Sequence, residues 1–364
     1  MIAADTPARL NETIAREYGT PCAVVDLDRV ERNIARLQQR CRDVGVANRP
    51  HIKTHKSPLI ARMQADAGAT GITCQKLGEA EIFADAGFRD ILISYNILGE
   101  EKARRLARLA ERAEPIVAAD NPVTVASVSD AAGQAGRNLK IAIECDTGRK
   151  RAGVETPAEA VALMEAIKAA GNLDFEGLLL YPPEDGVAAA QAFLDEARAG
   201  ARSLGLDIRM VSTGGTPNLR DLGRIDGTTE HRAGTYVFND RMMMAAGAAT
   251  LDDCALTIVT TVVSRAGPTR GILDAGSKTL SSDTGKLDGF GLILEYPDAK
   301  IHAFAEEHGF LDLSGCRDMP QVGEVVSVIP NHVCVVVNLM NRLIATRGGE
   351  VVGEIPVAAR GLIS

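Results

Sequence analysis

The chain has 364 residues, 46% of them apolar, and a formal net charge of −8. That supplies a sizeable core, while the acidic balance, with no long basic run, argues against nucleic acid or an anionic membrane as the main partner. No apolar stretch approaches the roughly 20 residues of a membrane-spanning helix, the N-terminal segment lacks the apolar run of a secretory signal, and seven cysteines without CxxC spacing suit a reduced cytoplasm.

From residue 22 onward, β-branched runs recur between amphipathic segments. Strands are predicted at CAVVDL (22–27), PHIKT (50–54), GITCQ (71–75), DILISYN (90–96), PIVAAD (115–120), KIAIECD (140–146), FEGLLLY (175–181) and IRMVSTG (208–214). The intervening segments have helical spacing. Val30, Ile34, Leu37 and Cys41 follow Asp28, a plausible N-cap, and PAEAVALMEAIKA (157–169) repeats the pattern. Alternating βα units imply parallel strands with crossover helices. Eight of them predict a closed (β/α)8 barrel over residues 20–247, with an open doubly wound sheet as the alternative. After about residue 250 the helical pattern fades, and runs such as ALTIVTTVVSRA, EVVSVIP and HVCVVVNLM read as strands with Gly and Pro turns. Residues 248–364, with 1–19, are expected to form a smaller β domain.

The stretch NRPHIKTHKSPLI (48–60) places His51, Lys53 and His55 at alternate positions. On a strand they share a face. With Ile52 packed against the helices, Lys53 points into the barrel near the C-terminal strand ends, where barrel active sites lie. A desolvated lysine has a lowered pKa and is a usable amine nucleophile, able to hold an aldehyde as a Schiff base. The bland alternative is a strand end reaching solvent. Lys56 is the rival amine, but it lies off that face.

Further along, VSTGGTPN (211–218) ends the last predicted barrel strand. Ser212, Thr213 and Thr216 offer hydroxyls, and Gly214 and Gly215 let backbone N–H groups approach an anion. Gly234, Thr235 and Tyr236 in RAGTYVFND form a second turn that would close a phosphate cradle. In IPNHVCVVVNL (329–339), His332 and Cys334 stand two apart on a predicted strand, and imidazole plus thiolate suits zinc or another transition metal. His308, in EEHG, is a further ligand or acid/base candidate; its bland reading is a solvated turn.

Together these segments, with TPCAVVDLDRVERNI, CQKLGEAE, DTGRKRAGV and DAGSKTLSSD, resemble the D-threonine aldolase and D-serine dehydratase family, pyridoxal-phosphate enzymes of the alanine-racemase fold. The resemblance covers nearly the whole chain, and the pairing of PHxKTHK with PNHxC is its specific part. It implies that Lys53 carries the cofactor. It also implies that Ser212 to Thr216 and Gly234 to Tyr236 hold the phosphate, that Arg151 lies by the phenolic oxygen, and that Gln75 and Tyr181 line the ring. His332 and Cys334 would hold a divalent metal, manganese or zinc, with magnesium or cobalt as alternatives. A homodimer is implied too. One departure stands out: after Tyr181 comes PPEDG, without the histidine that family members carry in that loop.

The expected activity is cleavage of a β-hydroxy-D-amino acid, of the D-threonine type, to glycine and an aldehyde. Metal-bound water, His308 or His55 is the candidate base. The runner-up is a dehydratase acting on D-serine or 3-hydroxyaspartate, giving a 2-oxo acid and ammonia. From another class comes a non-catalytic pyridoxal-phosphate carrier, against which the second domain and the HxC pair count. A racemase is disfavoured, because no matching tyrosine motif occurs in the β domain.

Overall fold

The computed structural model describes residues 5–364, with side chains from residue 9 onward. The expectation that residues 1–19 join the β domain lies outside the described residues for positions 1–4.

Helix boundaries follow from local chemistry. In Pro122–Ala135 the Asn121 side chain accepts from Thr124 N–H, proline occupies the first turn, and Gly136 ends the helix in the left-handed conformation. Pro157–Ala170 begins with a Thr156–Glu159 capping box. Such helices alternate with short parallel strands: Ala47–Asn48, Ile72–Cys74, Asp90–Ile93, Glu114–Ala119, Leu139–Cys145, Leu173–Leu180, Met210–Thr213 and Glu230–His231. Each pairs in parallel with its neighbour, the first with the eighth. A bridge between His51 and Thr73 joins the first to the second and closes the ring, giving the predicted (β/α)8 barrel. Leu92, Ile116, Ala118, Ala142, Leu179 and Met210 form one of its buried apolar clusters.

Two expected barrel strands are corrected. Cys22–Asp26 is not in the barrel: it pairs antiparallel with Leu256–Arg265 and parallel with Arg342–Arg347 in the second sheet. Its place among the eight is taken by Glu230–His231, a two-residue strand too short and too polar to show periodicity. An apolar run announces burial, not its partner. The expected strand at 50–54 is also replaced. After the His51 bridge the chain turns into a 3-10 segment, Ile52–Thr54, so strict alternation does not apply there.

The second, mostly β unit orders its strands as Lys300–Phe304, Gly309–Asp312, Arg270–Leu273, Leu256–Arg265, Cys22–Asp26, Arg342–Arg347 and Glu350–Pro356. Val325–Pro330 pairs with Leu256–Arg265 and with Gly291–Ile293. The helix Asp5–Tyr18 covers it through Ile14, which packs with Val24, Val259 and Ile344. Contacts divide the chain at places other than the expected 20–247: the β unit takes residues up to Ile34, Thr54–Ser57 and Thr235–Gly361, and the barrel unit takes Ala35–Lys53, Pro58–Gly234 and Leu362–Ser364. HVCVVVNLM, expected as a strand, is instead a helix, Val333–Leu339. Val333, Val336 and Val337 bury one helical face, so packing overrides the β preference of valine. Among the described residues no helix is long and apolar enough to cross a membrane.

Candidate active site

In the barrel unit, the 3-10 turn after the first strand carries Lys53. Its Nζ lies 3.4 Å from Gln75 Oε1, and His51 Nε2 lies 3.2 Å from the same oxygen. Gln75 Nε2 donates to Ser94 O at 3.1 Å, which turns Oε1 toward the lysine and the histidine. His51 therefore carries its proton on Nε2, and its Nδ1 accepts from Lys53 N–H at 3.4 Å. Burial, with Lys53 and Arg232 nearby, holds the His51 pKa well below the ordinary imidazole value. A neutral ring beside the amine is the result.

The seventh strand ends in the glycine turn. Gly214 has φ +76°, and a Cβ there would stand 1.9 Å from His231 Cε1. A Cβ on Gly215 would stand 2.8 Å from Tyr181 Cε2, so backbone lies flush against both rings. Tyr181 is covered in turn by the Arg149 guanidinium, 3.9 Å from the ring centroid, with that of Arg151 at 5.3 Å. The Arg151 loop is pinned by Asp146, which accepts from Gly148 N–H and Arg151 N–H at 2.8 Å each. In PPEDG, where a histidine is missing, Glu184 pairs with Arg149 at 3.0 Å. The Ser212 hydroxyl donates to Glu230 at 2.5 Å, within a network that includes Arg49 and Asp90.

In the β unit, His332 precedes the helix Val333–Leu339 and hydrogen-bonds Cys334. The two are together as expected, but through a helix start and not a shared strand face. Asp283 Oδ2 sits 2.5 Å from His332 Nδ1, leaving Nε2 for a ligand. Burial lowers the His332 pKa, but Cys334, Asp283 and Asp240 outweigh it and push it up to about 9. Asp240 holds the helix start, accepting from Val333 N–H at 3.1 Å and Met243 N–H at 2.9 Å. Cys334 Sγ lies 3.2 Å from Thr54 Oγ1 and 3.8 Å from Thr235 Oγ1. Tyr236 is buried in the 3-10 turn Thr235–Val237, directly after Gly234.

The two candidate histidine bases sit in different surroundings. His308 is exposed in the turn before Gly309–Asp312 and makes no hydrogen bond or ion pair with His332 or Cys334. His55 is fully buried, its Nδ1 accepting from Ser57 N–H at 3.1 Å, and it follows Thr54, whose hydroxyl lies 3.2 Å from Cys334 Sγ. Sequence reasoning set His51 beside the amine without its charge state, and missed His231 beneath the glycine turn and Asp283 behind His332. Neither of the last two had a usable signal, because each partnership spans strands or loops far apart in sequence.

The residues present fit an aldehyde phosphate: an amine on an oriented amide oxygen, and a turn with no room for side chains. They also fit a divalent metal, since the surroundings of His332 stabilise positive charge and offer imidazole and thiolate. Among the described residues, no group of three or more His, Cys, Asp and Glu could hold a metal ion.

The chain resembles known proteins in sequence and in fold. Residues 25–242 match the family described as alanine racemase, N-terminal domain, and residues 255–346 match a putative serine dehydratase domain. The D-threonine aldolase of Arthrobacter sp. is 33% identical over 99% of this chain and 97% of its own length. The D-threo-3-hydroxyaspartate dehydratase of Delftia sp. is 34% identical over 86% and 90%. The crystal structure of D-threonine aldolase from Filomicrobium marinum superposes with a TM-score of 0.87 at 31% identity, covering 95% of this chain and 96% of that one. The chain thus belongs to the alanine-racemase-fold family that includes the D-threonine aldolases and 3-hydroxyaspartate dehydratases, and it is an enzyme of that lyase group.

Proposed function

We propose that the chain is a pyridoxal-phosphate- and divalent-metal-dependent aldolase that cleaves β-hydroxy-D-amino acids of the D-threonine type to glycine and an aldehyde. The observation that carries this is the Lys53 amine, 3.4 Å from an amide oxygen whose orientation Ser94 fixes, beside a histidine kept neutral. Pyridoxal phosphate, when bound, supplies an electron sink for negative charge on the amino acid's α-carbon. Lys53 would hold it, Tyr181 and Arg151 would flank its ring, and the turn Thr213–Thr216 would take its phosphate. Gln75 orients the lysine, and neutral His51 adds no charge that would compete with it. His332 Nε2 and Cys334 Sγ would hold the metal, zinc or manganese, whose chemistry there is polarisation of a substrate hydroxyl. Asp283 fixes the imidazole for that role. A D-threo-3-hydroxyaspartate dehydratase has been solved as a cysteine variant in a form described as metal-free, which supports a metal in this group of proteins.

Dehydration to a 2-oxo acid and ammonia is the second reading, favoured by the comparable identity to the Delftia enzyme. A homodimer and a cytoplasmic setting complete the proposal; none of the seven cysteines forms a disulfide, which suits a reducing compartment. The deciding assay incubates the protein with D-threonine, D-serine and both D-3-hydroxyaspartates. Glycine plus an aldehyde supports the aldolase, and a 2-oxo acid plus ammonia the dehydratase. No turnover of any of them, with cofactor and metal supplied, would remove both.

A further inference from the structure

The geometry points to His231 as a positioning residue that sets the anion-binding shape of the Gly214–Gly215 turn. This rests on the cofactor reading above and concerns how the chain selects a phosphorylated aldehyde. His231 lies on the eighth barrel strand, is 2% exposed, and was given no role by its sequence context. Its ring occupies the space that a side chain at position 214 would need. Its Nε2 lies 3.2 Å from Gly215 O. Because that partner is a carbonyl, Nε2 carries the proton, as it does in the neutral ring with a bare Nδ1. Burial favours that state.

Gly215 O also accepts from Asn218 N–H at 3.1 Å. Two donors therefore engage one carbonyl, one from within the turn and one from the neighbouring strand. A trans peptide is planar, with its C=O and N–H pointing in opposite directions. Tethering Gly215 O toward His231 thus fixes the direction of the Thr216 N–H on the opposite side of the same peptide plane. Tyr181, against Gly215, limits movement of the turn on its other flank. The backbone dipole is held ready before an anion arrives, which reduces the ordering cost of binding.

His231→Phe keeps a ring beneath Gly214 and removes the donor. His231→Gln loses the ring but retains an N–H that can reach Gly215 O. Full-length protein freed of cofactor is titrated with pyridoxal phosphate and, separately, with pyridoxal, following visible absorbance. Wild type should prefer the phosphorylated aldehyde. His231→Phe should bind pyridoxal phosphate roughly tenfold more weakly, with pyridoxal affinity unchanged, and His231→Gln should recover most of the loss. Far-ultraviolet circular dichroism checks folding; if His231→Phe does not fold, His231→Leu replaces it. A folded donor-less variant that keeps the wild-type preference overturns the role of His231. A wild type that binds both aldehydes equally, or neither, overturns the cofactor reading beneath it.

Discussion

Gln75 Oε1 is shared by two neighbours, Lys53 at 3.4 Å and His51 at 3.2 Å, and this arrangement sets what the amine can do. Were His51 charged, it would repel the Lys53 ammonium; burial holds its pKa well below the ordinary imidazole value. Lys53→Ala should abolish both the visible band of the cofactor-loaded protein and its activity. A variant that stays yellow after dialysis would place the covalent link elsewhere, with Lys56 the first alternative. At His332 the decisive neighbour is Asp283, 2.5 Å from Nδ1. A carboxylate there fixes the tautomer and strengthens the ring as a ligand, so Asp283→Asn should weaken metal affinity by roughly 10- to 100-fold. Chelator competition followed by metal analysis measures it, and unchanged affinity would remove His332 Nε2 from the ligand set. Lys53, and the pair His332 and Cys334, stood out in the sequence because their residue types are unusual at their spacing. Asp283 did not, because nothing in a linear sequence ties position 283 to position 332.

The elements show where legibility stops. The βα alternation was readable over some 200 residues because helical and strand periodicities differ physically. Strand partnership was not: Cys22–Asp26 is as apolar as any barrel strand, yet it pairs with Leu256–Arg265 and Arg342–Arg347. The helix Val333–Leu339 is the sharper case, since its valines favour strands and its start is fixed from outside the segment by Asp240. That carboxylate is fully buried and accepts two backbone N–H groups, from Val333 and Met243. Asp240→Ala would leave both donors without this acceptor. The expected loss is about 2–3 kcal/mol of stability, read as a lower urea midpoint. His332 stands one residue before the helix, so metal affinity should fall with it. A variant that lost neither would show that the valine face alone holds the helix in place.

Across the whole molecule, buried groups of opposite sign compete as pH falls. His231, pushed by burial down to about 4 from 6.5, stays neutral in the fold while the unfolded chain takes up a proton below pH 6.5. Its contribution is complete above that pH and is lost between 6.5 and about 4, a span worth about 3 kcal/mol. His51, also lowered by burial, acts in the same direction. Asp240 opposes them: burial raises it to about 6 from 3.8, so the fold binds its proton first and gains stability as pH falls through that window. Glu144, raised by burial as well, adds to this opposing side. Falling pH thus lowers stability through the two histidines and raises it through the two carboxyl groups. His231→Gln separates the terms, since it removes one histidine and leaves the carboxyl groups. Relative to wild type, the variant should gain about 2–3 kcal/mol on going from pH 7 to pH 4.5, measured by urea unfolding of cofactor-free protein at both. A constant difference between the two proteins would mean that His231 titrates in the fold as it does in the unfolded chain. The ring beneath the glycine turn would then be open to water.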